Sequence, residues 1–115
     1  MTVLVCGGRA YDNALEVTST LNALFIAKPW QHVVVGSLRG ADKLVAEWAR
    51  ERGIKCTVVG ANWARYGRAA GPIRNGHMLR DYKPDMVVAF PGGTGTASMV
   101  SLARAEGVPV HVVAG

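Results

Sequence analysis

The 115-residue chain has few cysteines and no long apolar run. No segment approaches the roughly 18 consecutive apolar residues of a membrane-spanning helix, which excludes a membrane protein. Only 18% of the residues are charged and 50% are hydrophobic, a balance that excludes a disordered chain. Met1 leads directly into an apolar, strand-like segment instead of a basic region and a cleavable apolar stretch. We therefore expect one compact domain over residues 1–115, located in the cytoplasm and making no membrane contact.

Cysteine is represented only by Cys6 and Cys56, and both fall within apolar, strand-like runs. Two isolated thiols in such runs support neither a disulfide framework nor a cysteine-based metal site. Small buried side chains are their expected role. The sequence thus predicts no bound metal and no permanent cofactor.

Acidic residues are also few, 8 against 13 basic ones, which gives a net charge of +5. Nine of the basic residues are arginine, whose planar guanidinium fits phosphate groups. This balance favours an anionic partner, with a solvated basic surface as the alternative. The basic residues are not concentrated in one run, which disfavours nucleic acid as that partner.

Apolar β-branched runs alternate with stretches of helical periodicity, the pattern of βαβ units. Strands are predicted over residues 2–6, 32–36, 55–60, 85–90 and 109–113. Helices are predicted from apolar stripes along residues 14–25 and 41–49, and over about 72–82 and 96–106. This alternation favours a parallel sheet with helices on both faces.

The composition of the strands also predicts their order. The first, second and fourth are continuously apolar and suit the interior, whereas Lys55 and Pro109 mark the third and fifth as edges. A Rossmann-like α/β fold of three layers follows, with strand order 3-2-1-4-5. The winding then reverses between strands one and four, and ligands of such sheets bind beyond the carboxyl ends at that point.

Two glycine-rich loops follow those two strands. The first contains Gly7, Gly8 and Arg9; the second contains Pro91, Gly92, Gly93, Thr94, Gly95 and Thr96. Glycine lets backbone N–H groups approach a phosphate, the next helix adds its dipole and the threonines add hydroxyl donors. The pair predicts a phosphate cradle, with simple tight turns as the alternative. Neither loop matches GxxxxGK[ST] or GxGxxG, which disfavours a Walker ATPase and a standard dinucleotide fold.

The second strand ends in another glycine-flanked turn, residues 36–42. Arg39 in this turn is expected on the same rim as Arg9. Asp42 falls in the first turn of the next helix, where a carboxylate favours the helix dipole. Helix capping therefore competes with a ribose-binding or catalytic role for Asp42.

Residues 61–75 form the longest irregular stretch of the predicted structure, and such length favours function. Two aromatic residues, Trp63 among them, alternate there with arginines, a combination able to stack a base and pair a phosphate. In the alternative, Trp63 closes the end of the core and the arginines are solvated. Pro72 suits the first position of a helix, which places Arg74 and Asn75 in its first turn, facing the crevice.

Four segments together resemble short, stand-alone members of the SLOG superfamily of the YspA-like type. They are CGGRAYD at 6–12, GSLRGAD at 36–42, NWARYGRAAGPIRN at 62–75 and PDMVVAFPGGTGT at 84–96. SLOG proteins are Rossmann-like and include LOG phosphoribohydrolases, the DNA-processing protein A and sensor domains for NAD-derived or ADP-ribose-like signals. The resemblance implies a nucleotide-type ligand held by the PGGTGT loop, with Arg74 and Asn75 matching the family's arginine-bearing helix start.

One position departs from the LOG enzymes, which resemble this chain at PGGxGT. Three residues after the final threonine they carry a glutamate, where this chain has Met99, preceded by Ser98. Cleavage of an N-glycosidic bond passes through an oxocarbenium-like state that a carboxylate stabilises. We therefore expect a binding protein, either a sensor or, particularly for a viral gene, a sequestering protein. LOG-type hydrolysis of nucleoside monophosphates through Asp42 is the alternative, and the small, open-edged sheet predicts a homo-oligomer.

Overall fold

The computed structural model describes residues 1–114, and its centre is a five-stranded parallel sheet. The strands are β1 (Thr2–Cys6), β2 (His32–Val35), β3 (Lys55–Val58), β4 (Met86–Ala89) and β5 (Val110–Val112). Their order is β3-β2-β1-β4-β5, so the predicted order and its two edge strands are confirmed. Because β1 pairs with both β2 and β4, the winding reverses between β1 and β4.

Within residues 1–114, five α-helices connect the strands. They are α1 (Ala14–Ala27), α2 (Gly40–Glu51), α3 (Trp63–Tyr66), α4 (Ala70–Tyr82) and α5 (Thr94–Ala105). Side chains of β1 alternate between the two faces of the sheet: Val3 and Val5 pack with residues of α1 and α2. Leu4 packs with residues of α4 and α5. Both faces are covered, which explains why the inner strands are continuously apolar.

The prediction that residues 61–75 are irregular is wrong, because most of this segment is helical. The Asn62 side chain accepts a hydrogen bond from the Arg65 amide at 3.1 Å and caps α3. A 3₁₀ turn, Gly67–Ala69, then leads into α4, which begins at Ala70. Pro72 is thus the third helical residue instead of the first, a position where its missing N–H is equally harmless.

The shift in the start of α4 changes where its polar residues lie. Arg74 and Asn75 fall in the second turn of the helix, not the first as predicted. They still face the carboxyl ends of the strands, through the contacts described below. No helix within residues 1–114 has both the length and the apolarity required to cross a membrane.

Candidate functional site

The loops that follow β1 and β4 touch each other at the point where the winding reverses. The Gly8 amide donates a hydrogen bond to the Pro91 carbonyl at 2.9 Å. A Cβ on Gly8 would lie 3.2 Å from the Gly92 Cα, and one on Gly92 would lie 2.8 Å from the Gly8 nitrogen. These two glycines are therefore required for the close approach of the loops.

The turn after β2 packs against the same loop. Gly40 has a φ of +54°, and a Cβ there would lie 2.6 Å from the Arg9 carbonyl carbon. The Ala41 amide donates to the Gly8 carbonyl at 3.1 Å. Arg39 directly precedes Gly40, and both Arg9 and Arg39 are exposed. The backbones of the two arginines thus meet at one rim of the sheet.

The amino terminus of α5 offers unpaired amides in front of open space. Within residues 1–114 the Thr94, Gly95 and Thr96 amides have no hydrogen-bond partner, and the first bonded amide is that of Ala97, to Gly93 O at 3.1 Å. A Cβ on Gly93 or Gly95 would meet no atom within 4 Å. Free amides and the positive end of a helix dipole suit an anion such as phosphate.

Asp42 is buried beneath the turn after β2, with 8% of its surface exposed. Its Oδ2 accepts hydrogen bonds from the Gly36 amide at 3.1 Å and from the Ser37 hydroxyl at 3.3 Å. Its Oδ1 is buried and has no hydrogen-bond partner within residues 1–114. Asp42 therefore lies in the first turn of α2, and its side chain bonds to the preceding turn and not to the amides of α2.

The environment of Asp42 brings its titration near neutrality. Burial raises the pKa of Asp42 to about 6, against the opposing effect of the Gly36 and Ser37 hydrogen bonds and of the Arg74 charge. A buried carboxyl that titrates in this range can hold or release a proton under mild conditions. This behaviour is compatible with either ligand recognition or acid–base chemistry.

Arg74 and Asn75 connect three parts of the site. Arg74 Nη1 donates to the carbonyls of Gly36 and, at 3.4 Å, of Val59, while its Nε donates to Asn75 Oδ1 at 3.0 Å. Asn75 Nδ2 in turn donates to the Gly95 carbonyl at 3.4 Å. Because two guanidinium nitrogens already bind protein oxygens, Arg74 positions the surrounding loops in addition to contributing charge.

Trp63 stands at the same rim and is 48% exposed, so the alternative in which it closes the end of the core is wrong. The guanidinium carbon of Arg9 lies 5.3 Å from the centre of its ring. A Cβ on Gly71 would lie 3.4 Å from the ring edge. The start of α4 therefore supports the indole from one side, and Arg9 contacts it from the loop after β1.

The predicted site residues thus meet at the carboxyl edge of the sheet, on three loops and on the α3–α4 segment. Among them, the side chains that make hydrogen bonds within residues 1–114 are those of Asp42, Arg74 and Asn75. Sequence reasoning missed the roles of Gly36, Ser37 and Gly40 as supports for Asp42 and the first loop. The glycines that flank this turn in the sequence were the available signal.

A cavity of about 630 Å³ lies beside the second loop, between α5 and β5. Its walls include Gly93, Thr96, Ser101, Arg104 and Val112. No three His, Cys, Asp or Glu side chains among residues 1–114 form a group able to hold a metal ion. The groups available to a ligand are therefore amides, hydroxyls, guanidiniums, one buried carboxyl and one exposed indole.

Comparison with solved structures places the fold among Rossmann-like proteins. MurG of Acinetobacter baumannii matches with a TM-score of 0.63 and 15% identity, over 99% of this chain and 36% of that protein. The UDP-GlcNAc 2-epimerase of Neisseria meningitidis, bound to UDP-GlcNAc, matches with a TM-score of 0.61 and 20% identity, over 98% and 32%. This chain spans about a third of each, and such likeness shows the fold alone.

Comparison by sequence is more specific. The Gene 61 protein of Mycobacterium phage D29 is 34% identical over 116 residues, which cover 94% of this chain and 92% of that protein. A family model described as YspA, cpYpsA-related SLOG family (YAcAr) matches residues 1–66. That range includes the first glycine loop, the turn with Asp42, and Trp63. The chain therefore belongs to the YspA, cpYpsA-related SLOG family, as its four resembling segments predicted.

Proposed function

We propose that this domain binds a phosphorylated nucleoside of the ADP-ribose-like class and holds it without cleaving it. The observation that carries the proposal is the amino terminus of α5, where three amides have no hydrogen-bond partner within residues 1–114. Space is open beside Gly93 and Gly95, and the loop that leads into α5 touches the loop after β1. Such an arrangement binds phosphate without a metal ion. The epimerase that shares the fold is bound to a nucleotide sugar, which agrees with a ligand of this class.

The charges around the loops support an anionic ligand. Arg9 and Arg39 are exposed at the rim, and Arg74 lies one layer deeper among backbone carbonyls. Burial lowers the pKa of the Arg74 guanidinium, while the charge of Asp42 raises it and that of Arg9 lowers it. Arg74, Asp42 and Arg9 are therefore close enough to interact electrostatically. A bound phosphate would relieve the repulsion between Arg9 and Arg74.

Met99 argues against hydrolysis of the LOG type. Its side chain is 1% exposed and packs in the core with Leu4, Met78 and Leu79. The position that carries the LOG glutamate is thus part of the hydrophobic core in this protein. No carboxylate can act on the ligand from there.

Hydrolysis through Asp42 is the second candidate function. The carboxyl has an unpartnered Oδ1 and a pKa raised to about 6 by burial, properties suited to stabilising a developing positive charge or moving a proton. The substrates would be a nucleoside monophosphate and water, and the products a free base and ribose 5-phosphate. Asp42 would then replace the absent glutamate.

The biological role that we propose is sequestration of a nucleotide signal, with sensing as the alternative. A relative that matches this chain over 92% of its own sequence is encoded by a phage. A protein that only binds a host signal removes it stoichiometrically. This role needs tight binding and no turnover.

Calorimetry and chromatography test the proposal together. ADP-ribose and AMP should each bind with one site per chain and raise the melting temperature by mass action. Chromatography of the same mixtures should show no free adenine above that in a protein-free control. Absence of binding by both ligands would refute the proposal. Release of adenine that is abolished in Asp42→Asn would establish the hydrolase instead.

A further inference from the structure

We infer that Trp63 recognises the base of the ligand, by stacking the exposed part of its indole on the base. The site then selects nucleotides over sugar phosphates that lack a base. This inference rests on the proposed function, because it assigns one part of the same site. It depends on where Trp63 lies, on its exposure and on its support by Arg9.

The first link joins Trp63 to the phosphate loops. Arg9 stacks on the indole at 5.3 Å, and it directly follows Gly8, whose amide bonds to Pro91 O at 2.9 Å. The side chain of Arg9 therefore connects Trp63 to the contact between the two glycine loops. A ligand phosphate bound at those loops has the indole beside it.

The second link reaches the same loops from α4. The indole edge lies against Gly71, and Asn75, four residues later on the same helix face, donates to the Gly95 carbonyl at 3.4 Å. The two links close a ring around the amino terminus of α5. Trp63 is the member of this ring that offers an aromatic face.

The exposure of Trp63 has no explanation in the core. Trp30 and Trp48 are 2% and 3% exposed and pack against each other and Phe25, as core tryptophans do. Trp63 is 48% exposed and belongs to a helix of only four residues, none of them buried. An exposed indole in a site of amides and guanidiniums is a surface for stacking.

Arg9 acts as a positioning residue for this surface. A guanidinium held over an indole restricts the motion of the ring, so less order must be imposed when a ligand arrives. Stacking on an aromatic side chain tolerates any base, because every base has a π-face. The ligand class selected is therefore a nucleotide in general, with no requirement for a particular exocyclic group.

AMP and ribose 5-phosphate form a matched pair of probes, since they differ only in the base. We expect the unmodified protein to bind AMP about tenfold more tightly than ribose 5-phosphate by calorimetry. Trp63→Leu should abolish this preference while leaving the affinity for ribose 5-phosphate unchanged, and Trp63→Phe should retain most of it. Tyr66→Leu, which removes another exposed aromatic from α3, is the matched control and should behave like the unmodified protein.

Fluorescence provides a second measurement, which ligand binding should not change if Trp63 has only a structural role. Because Trp30 and Trp48 are buried, AMP should quench the solvent-accessible tryptophan signal, and ribose 5-phosphate should not. The response should disappear in Trp63→Phe.

Five results would overturn the inference. Equal affinities for AMP and ribose 5-phosphate, or a preference that survives Trp63→Leu, would show that the indole does not select the base. Loss of both ligands in Trp63→Leu would make Trp63 a structural part of the phosphate site. Loss of the preference in Ser101→Leu, which fills the cavity between α5 and β5, would place the base there. Failure of both ligands to bind the unmodified protein would refute the proposed function as well.

Discussion

Replacing Asp42 by asparagine should make the fold more stable at neutral pH while it weakens the site. The substitution keeps an oxygen that can accept from the Gly36 amide and the Ser37 hydroxyl. It removes a negative charge from a side chain that is only 8% exposed. Asparagine therefore resembles the protonated form of Asp42 and cannot ionise.

The size of the effect follows from the pKa of Asp42, which burial raises from 3.8 to about 6. At about 1.4 kcal/mol per pH unit, this difference is worth about 3 kcal/mol. The folded state holds the proton more tightly than the unfolded state, so the contribution is fully present below pH 3.8 and is lost as the pH rises to about 6. Above that range the ionised carboxyl destabilises the protein.

The assay is denaturant unfolding of both proteins at about pH 4 and about pH 7.5. The stability of Asp42→Asn relative to the unmodified protein should be about 2–3 kcal/mol more favourable at the higher pH. Any constant cost of burying the amide cancels in this comparison, and histidine titration is common to both proteins. Asp81→Asn, on the exposed surface of α4, controls for the change in net charge. A relative stability that is independent of pH, or that falls as pH rises, would refute the reasoning.

Substitutions at four other positions test the site. Gly95→Val should abolish AMP binding in calorimetry and change the unfolding free energy little, because its Cβ enters open space; AMP binding by this variant would remove the loop from the site. Gly92→Ala should instead destabilise the fold, because its Cβ would lie 2.8 Å from the Gly8 nitrogen. Arg74→Ala should lower the unfolding free energy by about 2 kcal/mol and weaken AMP binding. Arg74→Lys should recover only part of both, since an ammonium cannot reproduce the forked geometry of the guanidinium, and full rescue by lysine would show that only the charge matters. Met99→Glu should lower the melting temperature sharply, because it buries a carboxylate in the core, and it should release no free base from AMP. A stable variant that releases adenine would contradict the burial of residue 99 in the core.

The strand order was predictable because it depends on local composition. Continuous apolar runs identify strands that are covered on both faces, and the Lys55 and Pro109 positions mark the two edges. The same reasoning placed the loops after β1 and β4 side by side. The topology of a parallel sheet then fixes the edge at which a ligand binds.

The parts that could not be predicted depend on short elements or on contacts distant in sequence. A four-residue helix such as α3 is too short to show helical periodicity, so residues 61–75 read as a loop. Arg74 suits a phosphate by chemistry, but its bonds to the Gly36 and Val59 carbonyls follow from how α4 packs across the strand ends. The exposure of Trp63 depends on the same packing, which explains why its sequence context left two interpretations open.

The backbone of Gly8 has a consequence for which changes in loop length this fold can tolerate. Its N–H bonds to the loop after β4, and its carbonyl accepts from Ala41 at 3.1 Å and from Tyr11 at 3.2 Å. Surface loops normally tolerate insertions, because few contacts fix their length. Here an added residue in any of the three segments would break a backbone contact with another, so their lengths can change only together. We therefore expect a change of ligand preference to come from side chains on the rim, or from the segment between β3 and α4.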